Sequence, residues 1–263
     1  LIGAGVEDPS FQGRNSFSDR NELSRWVRVC RRFDRITVRG PRSVRLLDSV
    51  GVRAEMVGDP ALLHEVDEPV SVRDRLLGVN LGFGDDLWGH DHGRVVDAAA
   101  GLIRDMVTDG WSARLLVVNQ KDADMARECL RRSGVPGERA EVTTTPTVAG
   151  YLTAVGECTV LVAERLHALV LGAVAAVPML GLEYQPKCAD FLDSIGGAGW
   201  SVRTDVVTAA GLRERTEALI GRREAESLRL RDRVSALRAR LRGELARIRS
   251  GLGAHDAPQW SAR

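Results

Sequence analysis

Arg165 and His167 stand two residues apart, directly behind the apolar run Val160-Leu161-Val162-Ala163. Such a run reads as a buried strand, and the residues after it as the start of a helix. In an open α/β sheet, ligands bind beyond the carboxyl ends of strands, so the Glu164-Arg165-Leu166-His167 turn faces a crevice. The free N–H groups and positive dipole end of a helix N-terminus suit phosphate or carboxylate. An arginine fork grips either anion with two hydrogen bonds. Histidine donates to an anion when protonated, or moves a proton near neutral pH. The pattern alone leaves two plainer roles open: an ordinary surface arginine and a helix-capping histidine.

Lys187 is the second cation worth isolating. Only two of the 37 basic residues are lysine, Lys121 and Lys187; the rest are arginine, a compositional bias that empties most of them of message. Lys187 closes Leu182-Glu183-Tyr184-Gln185-Pro186-Lys187, which follows a second apolar strand and ends on the same rim. A solvated loop charge is the alternative there. Arg39 ends a third apolar run, and Pro41 with Ser43 marks a helix start behind it. The turn Asn80-Leu81-Gly82-Phe83-Gly84 carries a lone Gly-x-Gly, which a tight turn explains as well as a phosphate does.

His90 and His92, flanked by Asp85, Asp86 and Asp91, have the types of metal ligands. Polar residues of this kind are ordinary in loops after strands, and no metal or cofactor is expected. The four cysteines, at 30, 129, 158 and 188, form no Cys-x-x-Cys and no Cys/His cluster. That spacing argues against a zinc site or disulfide framework and for a reducing, cytoplasmic setting.

The elements that must position these residues alternate. Strands are predicted over 1–6, 36–39 and 54–57, with helices over 20–31 and 42–49 between them. After a polar linker the alternation restarts at strand 76–81. Helices over 93–109, 122–133, 146–155 and 165–174 then separate strands over 113–118, 141–143, 158–162 and 178–182. Strand and helix in alternation imply parallel α/β sheets. The boundaries expected are a partial first domain over 1–72, a fuller one over 73–210, a long helix over 211–250 and a frayed tail over 251–263.

That long helix carries 12 arginines against six acids, and Leu230, Val234, Leu237, Leu241, Leu245 and Ile248 recur at spacings of three and four. The spacing makes one apolar stripe. Acids interleave with the arginines and no aromatics intervene, which argues against nucleic acid and for packing on the body or self-association through a partner helix. With 44% apolar and 28% charged residues over 263, the chain is globular. It has no apolar run of the eighteen or more residues a membrane span needs.

Taken in order, several short motifs resemble the polysaccharide pyruvyl transferase family. They are Val38-Arg39-Gly40-Pro41-Arg42-Ser43, Gly51-Val52, Gly58-Asp59-Pro60-Ala61-Leu62-Leu63, Glu164-Arg165-Leu166-His167-Ala168, Val177-Pro178 and Tyr184-Gln185-Pro186-Lys187. The resemblance covers roughly residues 1 to 196, and the Arg-x-His with the Tyr-x-x-Lys is its most specific part. It implies an α/β fold with two Rossmann-like domains of glycosyltransferase-B (GT-B) type, the first incomplete, plus a long C-terminal helix. It also implies transfer of a pyruvyl group from phosphoenolpyruvate to a sugar or glycan acceptor, lipid-linked or free, making a ketal and releasing phosphate. Carried over, Arg165 and His167 belong at the phosphoenolpyruvate site, with His167 catalytic. Arg39 and Lys187 would bind the same substrate. The family's Gly-Asn-x-Gly-Asp-type loop has no counterpart here, so an N-terminal portion is expected upstream of Leu1. Two alternatives stand beside this: a nucleotide-sugar glycosyltransferase of the same fold, and a truncated, non-catalytic interaction domain.

Overall fold

The computed structural model describes residues 1–6, 8, 11, 20–66, 70–82 and 87–252. The first sheet is small. Strands β1 (Thr37–Val38) and β2 (Glu55–Met56) pair in parallel, and Ala4 adds a parallel bridge to Val38. The strand expected over 1–6 is therefore reduced to that bridge. Helices α1 (Arg20–Cys30) and α2 (Pro41–Asp48) accompany these strands, and Ile36, Val38, Leu47 and Val52 bury together between them.

The second sheet holds β3 (Leu76–Asn80), β4 (Ser112–Val117), β5 (Ala140–Thr144), β6 (Val160–Ala163), β7 (Met179–Glu183) and β8 (Ser201–Arg203). They run in the order β5-β4-β3-β6-β7-β8, and every pairing is parallel. Renumbered within the sheet this is 3-2-1-4-5-6, the doubly wound order, whose direction reverses between β3 and β6. Alternate side chains serve opposite faces, as the pleat requires. Leu77, Val79, Val160 and Val162 pack on α3 (His92–Thr108), α4 (Ala123–Ser133) and α8 (Ala209–Ile220). Leu76, Leu161 and Ala163 face α5 (Val148–Gly156) and α6 (Leu166–Val174). Helix α7 (Pro186–Ser194) follows β7 and packs on α2, joining the layers of the two sheets.

The single helix expected over 211–250 is two. Helix α8 stops at Ile220, and α9 runs from Arg223 to Leu252. Leu230, Val234, Leu237 and Leu241 are buried against the chain's own body, while Leu245 is exposed. Arginines fix α9 to the small sheet's side: Arg238 Nε donates to the Leu62 carbonyl at 2.6 Å, and Arg35 Nε pairs with Glu244 at 2.8 Å. Most of the stripe is thus used inside the molecule.

Candidate functional site

The crevice at the β3/β6 reversal is built by Asn80, the last residue of β3. Its Nδ2 donates to the Leu116 carbonyl at 2.8 Å, and its Oδ1 accepts from the Arg165 backbone N–H at 3.0 Å. The Glu164 N–H donates to the Asn80 carbonyl at 3.0 Å. One asparagine thus fixes the turn from which α6 starts, with Arg165 as its N-cap.

The Arg165 side chain is locked by a fork. Nε and Nη2 donate to the two carboxylate oxygens of Asp122 at 2.9 and 2.6 Å, and Asp122 is wholly buried. That bond is the leading cause that holds the Arg165 guanidinium above its ordinary pKa. Glu164 lies behind, its Oε2 accepting from Gly82 N–H at 2.8 Å. Burial pushes its carboxyl up to about 7, although the Gly82 bond and Arg165 pull the other way.

Tyr184 carries the site outward from Arg165. The Arg165 charge favours its phenolate, yet burial dominates and raises the phenol's pKa. The Lys187 ammonium sits 4.9 Å from the Tyr184 ring centroid, a cation–π distance. Lys187 then lines a cleft of about 180 Å³ with Gln185, Pro186, Gly5, Val6 and Arg39. Arg39 enters from the small sheet, its Nη1 3.3 Å from Asp59 Oδ2, and its buried Nε has no hydrogen-bond partner among the described residues. Two of the expected cations, Arg39 and Lys187, therefore share one cleft, and Cys188, next to Lys187, donates to the carbonyl of Glu164, the residue before the third, Arg165.

His167 does not join them by contact. It occupies the first turn of α6, exposed, with no hydrogen bond or ion pair among the described residues. His90 and His92 belong to no group of three metal-ligating side chains among the described residues. Asp85 and Asp86, as well as Phe83 and Gly84 of the Gly-x-Gly turn, lie outside those residues. All four cysteines are free and buried. A roomier cleft, about 840 Å³, lies at the opposite end of the sheet, where Arg75, Trp111 and Thr159 precede β3, β4 and β6. Ligands of parallel sheets bind at the carboxyl ends, which makes the Arg165 rim the candidate site.

A sequence model of the polysaccharide pyruvyl transferase family matches residues 1–186. The chain belongs to that family. Residues 1–186 contain Arg39, Asp122, Arg165 and His167, and end one residue short of Lys187. No curated protein matches this family member in sequence. Its fold is of GT-B type, as solved structures show. A putative UDP-N-acetylglucosamine 2-epimerase from Listeria monocytogenes superposes with TM-score 0.61 at 12% identity, over 100% of this chain and 70% of that one. The pneumococcal O-GlcNAc transferase GtfA, in complex with UDP and GlcNAc, gives 0.59 at 11% identity, over 90% and 48%. The calicheamicin glycosyltransferase CalG4 gives 0.51 at 15%, over 95% and 64%. The chain spans about half the length of several glycosyltransferases it resembles, such as 48% for GtfA. No helix among its described residues is long and apolar enough to cross a membrane.

Sequence reasoning quoted Asn80 and Asp59 inside motifs but gave no role to either, nor to Asp122. Asn80 left a further signal, as a polar residue ending a strand whose five positions are all buried.

Proposed function

We propose that this chain carries the donor side of a pyruvyl transfer, binding phosphoenolpyruvate at the Arg165 rim and passing its pyruvyl group to a sugar. The observation that carries this reading is the convergence of Arg39 and Lys187 on one cleft, with Cys188, next to Lys187, donating to the Glu164 carbonyl of the Arg165 turn. Phosphoenolpyruvate combines a phosphate monoester of charge near −2 with a carboxylate, about −3 in total, so a buried site must supply several fixed cations. Family membership supports the same donor.

The chemistry under this reading is balanced. C3 of the donor takes a proton, leaving C2 electrophilic; a sugar hydroxyl adds to C2 and gives up its own proton. The C2–O bond to phosphate then breaks, and a second hydroxyl closes the ketal, its proton leaving with the phosphate. Arg165, held rigid by Asp122, and Arg39 would stabilise the phosphate as its charge grows. His167, accessible at the head of α6, would move the proton. The acceptor is a sugar of a polysaccharide or glycan precursor, and the four buried thiols fit a cytoplasmic site.

Ligand-induced thermal stabilisation tests the donor. At a hundred times Kd a ligand stabilises the fold by about 2.7 kcal/mol. Phosphoenolpyruvate should raise the melting temperature and UDP should not. The reverse result would turn the site into that of a nucleotide-sugar glycosyltransferase, and a shift with neither would leave a non-catalytic domain.

A further inference from the structure

The motif Arg39-Gly40-Pro41-Arg42-Ser43 has a partner far away in the chain. Helix α2 begins at Pro41, and its N-cap, Gly40, has no side chain with which to cap it. The cap comes from α7. Asp190 Oδ1 accepts from the Arg42 N–H at 2.7 Å and from the Ser43 N–H at 3.4 Å. Asp190 Oδ2 accepts from the Ser43 hydroxyl at 2.6 Å, and Ser43 Oγ in turn accepts from the Val6 N–H at 3.0 Å. Asp190 is 3% exposed and Ser43 is fully buried. A second tie runs parallel to the first, with Arg42 Nε 2.8 Å from Asp193 Oδ2.

This knot sits behind the cleft. Arg39 immediately precedes the capped turn, Val6 lines the cleft itself, and Lys187 lies three residues before Asp190 on α7, on a neighbouring face. The carboxylate therefore holds, in one cluster, the backbone that carries Arg39, the segment that carries Val6 and the helix that carries Lys187. Gly40 is required by space, since its φ of −140° is ordinary extended backbone while a Cβ there would overlap Asp190.

We propose that Asp190 is a positioning residue: by capping α2 from α7 it sets Arg39 against Lys187 across the cleft they share. This rests on the reading of that cleft as the phosphoenolpyruvate site. Asp190 touches no ligand in this role. It acts on affinity through the spacing of two cations on different elements, and one charged hydrogen bond lost by a shift of either costs about tenfold to a hundredfold.

The test is calorimetric titration of the full chain with phosphoenolpyruvate, read alongside thermal melting and amide exchange. Asp190→Ala should weaken binding roughly tenfold to a hundredfold. Asp190→Asn, which keeps an acceptor for the Arg42 N–H, should recover part of that loss, whereas Asp190→Leu, of similar size but with no acceptor, should not. Exchange at the amides of Arg42 and Ser43 should rise in the ligand-free Asp190→Ala protein. If Asp190→Ala fails to fold, Ser43→Ala, which removes one hydroxyl, carries the test with the same expectation. Wild-type affinity in the folded variant overturns the proposal. If the wild type itself does not bind phosphoenolpyruvate, the donor reading falls. In that case unchanged amide exchange in the variant overturns the positioning role as well, while raised exchange upholds the tie between α2 and α7.

Discussion

Arg165 and Asp122 meet through two parallel hydrogen bonds of 2.9 and 2.6 Å, the carboxylate fully buried and the guanidinium about a quarter exposed. The asymmetry matters, because removing either partner leaves the other in a different environment. Arg165→Ala leaves a carboxylate in the interior with two of its hydrogen bonds gone. Asp122→Ala leaves a guanidinium that water still reaches. Urea denaturation should show Arg165→Ala to be the more destabilised, with losses of about 2–4 kcal/mol expected for the pair-breaking variants. The double variant should recover part of the loss, giving a coupling of about 1–3 kcal/mol. Strict additivity would mean the two side chains do not act as a unit.

Glu164 makes stability depend on pH in an unusual direction for a carboxylate. Burial raises its pKa from an ordinary 4.5 to about 7, so the folded chain holds a proton that the unfolded chain has released. Between pH 4.5 and 7 folding takes up that proton, and stability falls as pH rises through this window, then levels off. Glu164→Gln keeps an acceptor for the Gly82 N–H and has no proton to lose. Relative to wild type, the variant should gain on the order of 3 kcal/mol between pH 4.5 and pH 8. Denaturation curves for both proteins at the two pH values measure it, and parallel pH dependences would contradict the assignment.

The doubly wound sheet was legible because its strands are short apolar runs set between amphipathic helices, and burial on both faces writes itself into composition. The rim was legible for the same reason: Arg165 and Lys187 each follow such a run. Three things were not. Strand β8 is Ser201–Arg203, half-buried at a sheet edge, and carries no apolar pattern. The break between α8 and α9 falls at Gly221-Arg222, where arginines and leucines continue on both sides. Asp122 and Asp190 act on partners 43 and 147 residues away, a separation with no local periodicity to read.

Two glycines near the cleft should respond to alanine in opposite ways. At Gly5 a new Cβ would meet the Nη2 end of Arg39, a flexible group that can swing aside. Gly5→Ala should therefore leave stability within about 1 kcal/mol and weaken phosphoenolpyruvate binding by displacing the guanidinium. At Gly40 the Cβ would meet the side chain and backbone carbonyl of Asp190, and a packed helix cannot yield as easily. Gly40→Ala should cost about 1–3 kcal/mol as an overpacked site. Calorimetric titration and melting of both variants separate these outcomes. Equal stability losses would refute the contrast.

His167 is exposed on the first turn of α6, so its removal leaves no cavity. His167→Ala should melt like wild type. If it is the proton carrier, turnover in a pyruvyl-transfer assay should fall by about 10²–10⁴. Full turnover in the variant would remove His167 from the chemistry and leave the arginines as an anion site alone.

The apolar stripe of α9 makes its own prediction through its ends. Leu237 is 3% exposed and packs against Gly58, whereas Leu245, two turns further on, is 37% exposed. Leu237→Ala opens a cavity in the shared core and should cost about 2–5 kcal/mol. Leu245→Ala should stay within about 0.5 kcal/mol. Were the stripe instead the seam of a dimer, both leucines would face a partner helix, and both substitutions would make stability depend on protein concentration. Denaturation midpoints at two concentrations distinguish the cases. Independence of concentration, with the loss confined to Leu237, is the result expected of a helix that fastens the small sheet to the large one within a single chain.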